Sequence, residues 1–114
     1  MKLESHATVL QVPDVPAALD WFRDALGFDV QRFQDGSEYG YAERDGVSFH
    51  VSRPDPHLWA AYLYTDDVEA LHGELVERGT EILQPPTDKP YGVRDLIVTA
   101  PSGHVLAIGQ LLDR

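Results

Sequence analysis

The chain alternates β-type runs with helical runs, and its first half shows one complete cycle of this pattern. A β-rich run at Ala7–Val12 precedes Asp14, a residue type that caps helices, and Pro16, which is tolerated in a first helical turn. Apolar residues then recur at steps of three and four, as on one face of an amphipathic helix. They are Val15, Ala18, Leu19, Phe22, Ala25 and Leu26. Gly27 follows, so the pattern predicts a helix that ends there.

Three short β-type runs follow this helix. They lie at Phe28–Phe33, Glu38–Arg44 and Val47–Ser52. The dipeptides Asp35-Gly36 and Asp45-Gly46 separate these runs, and Asp-Gly favours the tight turn of a β-hairpin. The first half therefore predicts the order βαβββ.

The second half repeats this order after a segment with two prolines, which predicts a linker at about residues 53–58. A β-type run at Ala60–Thr65 precedes a second capping residue, Asp67, and a helix that ends at Gly79. The apolar face of this helix consists of Val68, Leu71 and Leu75. The remaining β-type runs are Glu81–Gln84, Val93–Thr99 and Val105–Gln110, the last two separated by the turn at residues 101–103.

The spacing of equivalent residues indicates a duplicated unit, since Asp14 and Asp67 are 53 residues apart and Gly27 and Gly79 are 52 apart. We therefore predict an α+β fold in a single domain, residues 1–114, with module one at about 6–52 and module two at about 59–112. Each βαβββ module would cover one face of its sheet with a helix. The two bare faces would then form an open, barrel-like sheet around a ligand cavity.

Composition narrows the function classes. With 114 residues, 43% of them apolar and 25% charged, the chain is typical of one globular domain. The formal charge of −10, without a basic cluster, argues against nucleic acid and anionic membranes as partners. The absence of cysteine excludes disulfides and thiolate chemistry. No secretory signal or spanning segment is visible in the sequence, so we expect a cytoplasmic protein.

Two stretches resemble the vicinal oxygen chelate superfamily, which includes glyoxalases, extradiol dioxygenases and fosfomycin- and bleomycin-resistance proteins. The first stretch runs from Leu10 to Phe28 (LQVPDVPAALDWFRDALGF), and the second runs from Tyr91 to His104 (YGVRDLIVTAPSGH). The resemblance implies the predicted fold over nearly the whole chain. The segment Pro90-Tyr91-Gly92 is similar to bleomycin-resistance members, which implies a homodimer that sequesters an aromatic, cationic drug between subunits.

The resemblance also implies where a metal would bind in the enzymes of this superfamily. Their ligands lie on the first and last strands of each repeat, at positions that correspond here to Ala7, His50, Ala60 and Ala107, with Trp59 as the alternative to Ala60. Three of these four side chains carry no donor atom, and catalytic metal sites normally need three protein ligands. We therefore expect no metal and no other cofactor. His6 would need a register slip of its strand to contribute.

Strand alternation, continued from these positions, predicts which side chains line the cavity. The predicted ligand-binding residues are Val9, Gln11, Ser48, His50, Tyr62, Tyr64, Asp95 and Ile97. Ser52, Val105 and Ala107 share their phase. The opposite phase is more apolar and suits the helix-covered core: Thr8, Leu10, Val12, Val47, Phe49, Val51, Leu63, Leu96, Val98, Leu106 and Ile108.

Each lining residue also has a structural explanation that the sequence leaves open. The tyrosines Tyr62 and Tyr64 would equally fill the barrel or lie at a dimer seam, and His50 would equally be a half-buried histidine with satisfied hydrogen bonds. Asp95 would equally pair with Arg94 or with a partner chain. A proton-transfer pair of His50 and Asp95 is a further hypothesis.

These observations lead to one main hypothesis and two alternatives. The main hypothesis is a metal-independent, homodimeric binding protein of the glyoxalase/bleomycin-resistance type, which sequesters an aromatic or cationic small molecule in a cavity or dimer groove. The first alternative is an enzyme of the superfamily (a lyase, isomerase or dioxygenase) that uses His50 as a base or metal ligand. The second is a vestigial cavity with the dimer surface as the functional part, which a pocket filled by its own tyrosines would support.

Overall fold

The computed structural model describes residues 1–32 and 38–112, which form eight strands and two α-helices. The strands are β1 (Leu3–Gln11), β2 (Asp29–Arg32), β3 (Tyr39–Arg44), β4 (Val47–Ser52), β5 (Ala61–Thr65), β6 (Ile82–Lys89), β7 (Val93–Thr99) and β8 (Val105–Leu111). The helices are α1 (Val15–Leu26) and α2 (Val68–Glu77). The predicted α+β class is thereby confirmed. The predicted strand end at Phe33 and the Asp35-Gly36 turn lie outside the described residues.

The chain divides into two compact units. The first unit is Ala7–Leu58, and the second unit is Met1–His6 together with the chain from Trp59 onward, so β1 contributes residues to both. In the first unit the strand order is β2–β3–β4–β1, with β1 parallel to β4. In the second unit β5 lies parallel to β8, and β7 and β6 follow in antiparallel pairing.

Helix α1 begins and ends as the sequence predicts. The Asp14 carboxylate accepts a hydrogen bond of 2.9 Å from the backbone N–H of Ala17, which satisfies one of the free donors at the helix start. At the other end Gly27 adopts a φ of +71°, a left-handed conformation that glycine reaches without a Cβ clash. The Arg44 guanidinium donates to the carbonyl of Leu26 at 2.7 Å, which satisfies a free acceptor of the last turn.

Helix α2 is capped in the same way. Asp67 accepts a hydrogen bond of 3.0 Å from the backbone N–H of Ala70, and the side-chain oxygen of Gln110 accepts one of 3.0 Å from Val68. Gly79, with a φ of +77°, follows the helix. Neither helix in the described part of the chain is long and apolar enough to cross a membrane.

Each helix covers one face of its own unit's sheet with apolar side chains. In the first unit the buried cluster consists of Val15, Leu19, Phe22, Ala42 and Val51. In the second unit it consists of Val68, Leu71, Leu96, Val98 and Ile108. The sheet residues of these clusters belong to the phase that alternation assigns to the core. Thr8, Leu10 and Val47 share this phase but are exposed, so their expected burial is wrong; Val47 opens β4 directly after the turn at Asp45-Gly46.

Two elements are longer than the sequence pattern predicts. Strand β1 begins at Leu3 rather than Ala7, because the carbonyl of Lys2 accepts hydrogen bonds from Thr65 Oγ1 and the Asp66 N–H, at 2.9 and 3.2 Å. Strand β6 continues beyond Gln84 through two prolines to Lys89. It is the edge strand of its unit and its pairing with β7 shifts twice, and prolines are tolerated at edges and bulges.

The predicted apolar face of α1 is too long at its C-terminal end. Val15, Leu19 and Phe22 are buried, whereas Ala25 and Leu26 are exposed. In this last helical turn the carbonyl of Leu26 accepts its hydrogen bond from the Arg44 side chain.

Candidate functional site

The second unit carries an aromatic surface on the sheet face that α2 does not cover. Tyr62 on β5 lies opposite Ala107 on β8, and Ala107 lies opposite Ile97 on β7. Side chains of directly opposed residues share a face, so these three side chains form one row. A third buried cluster contains Tyr62, Val93 and Ala107, with Trp59, Tyr64 and Ile97 packed against it. The rings of Tyr62 and Tyr64 lie 5.1 Å apart between centroids.

Asp95 lies at the centre of a hydrogen-bond network on this face. Its side chain is 1% exposed, and both carboxylate oxygens are used. Oδ2 accepts hydrogen bonds from the hydroxyls of Tyr62, at 2.8 Å, and Tyr91, at 3.0 Å. Oδ1 accepts from Gln84 Nε2 at 3.2 Å and lies 3.7 Å from the Lys89 ammonium. The network therefore joins β5, β6, β7 and the turn before β7 through one buried carboxylate.

Lys89 and Gln84 complete the network at the sheet edge. The Lys89 ammonium donates to Gln84 Oε1 at 2.8 Å, so each end of the Gln84 amide has a partner. Within the described residues no buried side-chain nitrogen or oxygen lacks a hydrogen-bond partner. This is the arrangement in which a buried charge is tolerated, because every polar group removed from water is compensated.

The phenol of Tyr62 is held in its neutral form. Burial raises its pKa above the ordinary value, and the negative charge of Asp95 and the hydrogen bond to it raise the pKa further. Gly109 provides the space for this contact. A Cβ at Gly109 would lie 2.5 Å from the Tyr62 hydroxyl and 2.7 Å from Val93 Cγ1, which is closer than these atoms can approach.

The first unit contains a separate polar cluster around His50. His50 is 4% exposed, and its Nδ1 shares a hydrogen bond of 2.5 Å with the hydroxyl of Tyr39. It lies opposite Val9 on β1 and opposite Tyr41 on β3, whose ring centroid is 5.2 Å from the imidazole. Burial lowers the pKa of His50 to about 4, so the imidazole is neutral at pH 7.

Gln11, one of the predicted lining residues, has a partner within the first unit. Its side chain is exposed, and its Oε1 accepts a hydrogen bond of 2.7 Å from the backbone N–H of Asp55. Gln11 thus fixes the linker to the end of β1. Val9 and Ser48 are partly buried on the face that carries His50.

Of the alternative partners predicted for Asp95, Arg94 is wrong, whereas a partner chain stays a prediction. Arg94 pairs with Asp88 at 2.5 Å and points away from Asp95, because adjacent residues of a strand lie on opposite faces. Asp95 and His50 each have their own partners within their own units: the network of Tyr62 for Asp95, and Tyr39 for His50.

The positions that correspond to metal ligands do not suit a metal ion. Ala7 and Ala107 are fully buried and Ala60 is exposed, and none of the three has a donor atom. The fourth, His50, shares Nδ1 with Tyr39. No group of three or more His, Asp or Glu side chains in residues 1–32 and 38–112 is arranged to hold an ion. The donor set therefore does not fit the metal of the superfamily's enzymes.

Sequence reasoning missed five residues of these two clusters. Tyr39 and Tyr41 were predictable, because a two-residue turn at Asp45-Gly46 places Arg44 opposite Val47 and hence Tyr41 opposite His50. Gln84, Lys89 and Tyr91 were not, because the two register shifts in β6 break the alternation that would assign their faces.

The chain was compared with known families and structures. The family model for the Glyoxalase/Bleomycin resistance protein/Dioxygenase superfamily matches residues 5–108. No curated protein sequence gives a significant match.

Several solved structures share the fold. A superfamily member from Vibrio splendidus 12B01 is 22% identical, covers 96% of this chain and 98% of its own, and has a TM-score of 0.68. An uncharacterized protein from Methanosarcina mazei is 22% identical over 97% of this chain and 94% of its own, with a TM-score of 0.73. A hypothetical protein from Bacillus halodurans C-125 is 13% identical over 99% and 96%, with a TM-score of 0.75. At these identities the likeness concerns the fold alone.

Proposed function

The chain belongs to the Glyoxalase/Bleomycin resistance protein/Dioxygenase superfamily, and within it we propose a metal-independent protein that binds a planar aromatic small molecule. The observation that carries this proposal is the replacement of metal donors by alanine. At the ligand positions, the side chains of Ala7, Ala60 and Ala107 offer no lone pair, which leaves His50 as the only donor, whereas catalytic metal sites normally need three protein ligands. Metal-dependent chemistry of the superfamily type has no support in this donor set.

The aromatic face of the second unit supports binding of a flat ligand. Trp59, Tyr62 and Tyr64 are spaced 5.7 and 5.1 Å between neighbouring ring centroids, within the range in which aromatic rings attract one another. Each added aromatic contact contributes about 0.5–1.5 kcal/mol beyond the burial of its area. The network around Asp95 fixes the Tyr62 phenol, so less side-chain freedom is lost on binding.

The enzymatic alternative, with His50 as a general base, has weaker support. A base is most effective when its pKa is close to the working pH, whereas the pKa of His50 is lowered to about 4. The imidazole is unprotonated at neutral pH but holds a proton weakly. Its contact with the Tyr39 hydroxyl gives it a structural role within the first unit.

Sequestration of the ligand between the subunits of a homodimer is the finer form of this proposal. It depends on the resemblance of Pro90-Tyr91-Gly92 and on the apolar side chains that remain exposed, among them Trp21 and Val76. Sedimentation of the purified protein over a range of concentrations tests the dimer. A monomer at all concentrations would limit the proposal to binding by a single chain.

A ligand screen tests the proposed function. Thermal shift and tryptophan quenching would be measured with naphthamide and related neutral aromatics, with and without a chelator, and the recovered probe would be checked for conversion. We expect saturable binding that is unchanged by the chelator, with the probe recovered intact. Tyr64→Leu should weaken binding about two- to tenfold, the loss of one aromatic contact, whereas Glu77→Gln at an exposed position of α2 should not. Turnover, or binding that requires a divalent ion, would overturn the proposal.

A further inference from the structure

Lys89 carries the accessible charge beside the aromatic face of the second unit. The negative charge of the same network, on Asp95, is buried. The Asp95 side chain is 1% exposed, whereas the Lys89 side chain is 23% exposed. A ligand that approaches this face therefore meets the ammonium and is separated from the carboxylate by its four partners: the phenols of Tyr62 and Tyr91, the Gln84 amide and Lys89 itself.

Asp95 has little acceptor capacity left for a cationic ligand, because three of its lone-pair sites accept hydrogen bonds and the rest of Oδ1 faces Lys89. A carboxylate has about four lone-pair sites. Here Oδ2 accepts from two phenols, and Oδ1 accepts from an amide and faces an ammonium. A ligand cation would have to displace one of these donors and leave it without a partner in a poorly hydrated place, which is costly.

The Lys89 ammonium, in contrast, is held in position with donor capacity to spare. It has three N–H donors, and of the acceptors in the described residues only Gln84 Oε1, at 2.8 Å, lies within hydrogen-bond distance. Asp95 Oδ1, at 3.7 Å, contributes an ion pair that restrains the side chain without a direct hydrogen bond.

A flat ring lies next to this ammonium in the chain. Tyr91 is 45% exposed, yet its hydroxyl is anchored on Asp95 Oδ2 at 3.0 Å. The intervening turn is closed by the Gly92 N–H, which donates to the carbonyl of Lys89 at 3.1 Å. An exposed aromatic ring and a cation are thus both tied to one buried carboxylate, which fixes both groups before any ligand binds.

We propose that the ligand is an aromatic anion, such as an arene carboxylate, and that Lys89 is the residue that selects for its negative group. The ring would lie against the aromatic face and Tyr91, and the carboxylate would accept a charge-assisted hydrogen bond from the Lys89 ammonium. This inference rests on the proposed function and names the ligand class for the same face.

The net charge of −10 does not oppose this assignment at short range. Interactions between exposed charges fade over about 8 Å at physiological ionic strength. A group in direct contact with Lys89 is therefore governed by that ammonium, while the overall charge mainly slows the approach of an anion. Lowering the salt concentration strengthens both the attraction to Lys89 and the repulsion by the net charge. The affinity for an anion should therefore rise less steeply than it would in a protein without net negative charge.

Three probes of the same size separate the ligand classes: naphthoate, naphthamide and naphthylmethylammonium. Their dissociation constants would be measured by calorimetry with the wild-type chain, Lys89→Met, Lys89→Arg and the control Lys2→Met at an exposed lysine of the same unit. We expect wild type and Lys2→Met to bind naphthoate about three- to tenfold more tightly than naphthamide, because one partly exposed charge-assisted hydrogen bond contributes a difference of this size. Naphthylmethylammonium should bind most weakly.

The Lys89 variants test whether the ammonium causes this order of affinities. Lys89→Met should bind naphthoate and naphthamide equally, and Lys89→Arg should keep the preference, with circular dichroism showing that each variant is folded. If naphthylmethylammonium binds most tightly to wild type, or if naphthoate keeps its advantage in folded Lys89→Met, this inference is wrong and the proposed function stands. If none of the three probes binds, the proposed function itself is wrong.

Discussion

The Tyr62 hydroxyl, on β5, donates a hydrogen bond of 2.8 Å to Oδ2 of Asp95, which lies 33 positions later in the chain. The phenol reaches the carboxylate across Gly109, which lies opposite both Tyr64 and Asp95 in the sheet. Two strand pairings and one missing side chain are thus needed to make a single contact. This contact fixes the aromatic face on which the proposed function depends.

Asp95→Asn should destabilise the protein strongly. The substitution keeps the shape but removes the negative charge that faces Lys89 and replaces one acceptor oxygen with a donor. We expect a loss of about 3 kcal/mol in the free energy of unfolding, as when a buried ion pair loses one partner. Urea unfolding measures it. The matched control is Asp88→Asn, which breaks the exposed pair with Arg94 and should change the free energy of unfolding far less than Asp95→Asn does. Equal losses in the two variants would show that the network around Asp95 adds no stability.

Gly109→Ala should destabilise the second unit because the new Cβ would lie 2.5 Å from the Tyr62 hydroxyl. The expected loss is about 1–3 kcal/mol, the usual cost of overpacking. Gly73→Ala is the control: its Cβ meets nothing within 4 Å on helix α2, and alanine should stabilise that helix by about 1 kcal/mol. A Gly109→Ala protein as stable as wild type would mean that Tyr62 is not held over this glycine.

Tyr62→Phe should change stability in a way that depends on pH. At neutral pH the lost hydrogen bond to a charged group should cost about 1.5–3 kcal/mol. Because the folded-state pKa of Tyr62 is raised above the ordinary 10.0, the unfolded chain ionises first and the wild type loses stability as pH rises above that value. Urea unfolding between pH 8 and pH 11 should show a steeper loss for wild type than for Tyr62→Phe. Parallel profiles would contradict the raised pKa, and Tyr64→Phe serves as the tyrosine control.

His50 should make the protein sensitive to acid. Its pKa is lowered from 6.5 to about 4 by burial, so the unfolded chain binds the proton first as pH falls. The associated stability is fully present above pH 6.5 and is lost as pH falls toward 4. Over that range the wild type should lose about 3 kcal/mol more than His50→Gln, at 1.36 kcal/mol per pKa unit. His57→Gln, in the exposed linker, should keep the wild-type profile. An NMR titration of His50 with a midpoint near 6.5 would refute the lowered pKa.

The sequence predicts the elements of this fold well where local chemistry decides them. Asp14, Asp67, Gly27 and the Asp45-Gly46 turn act as expected, because caps and tight turns depend on a few neighbouring residues. The sequence does not predict the start of β1, which depends on hydrogen bonds between Lys2 and residues more than 60 positions away.

The candidate site was predictable only in part, for the same reason. Alternation correctly groups Tyr62, Ile97 and Ala107 on one face, since those strands are regular. It does not reveal the hydrogen bond from the linker backbone to Gln11, and it misses Lys89, which lies beyond two register shifts. The donors from which Asp95 accepts hydrogen bonds are set by tertiary contacts that no spacing reveals.

The most direct test of a metal-independent function is the metal content of the purified, untagged protein, together with calorimetric titration of the chain with zinc and manganese. We expect far less than one ion per chain and no saturable heat, because Ala7, Ala60 and Ala107 supply no side-chain ligand and His50 alone falls short of the three ligands that a catalytic site needs. One tightly held ion per chain would contradict this expectation and would group the protein with the metal-dependent members of its superfamily.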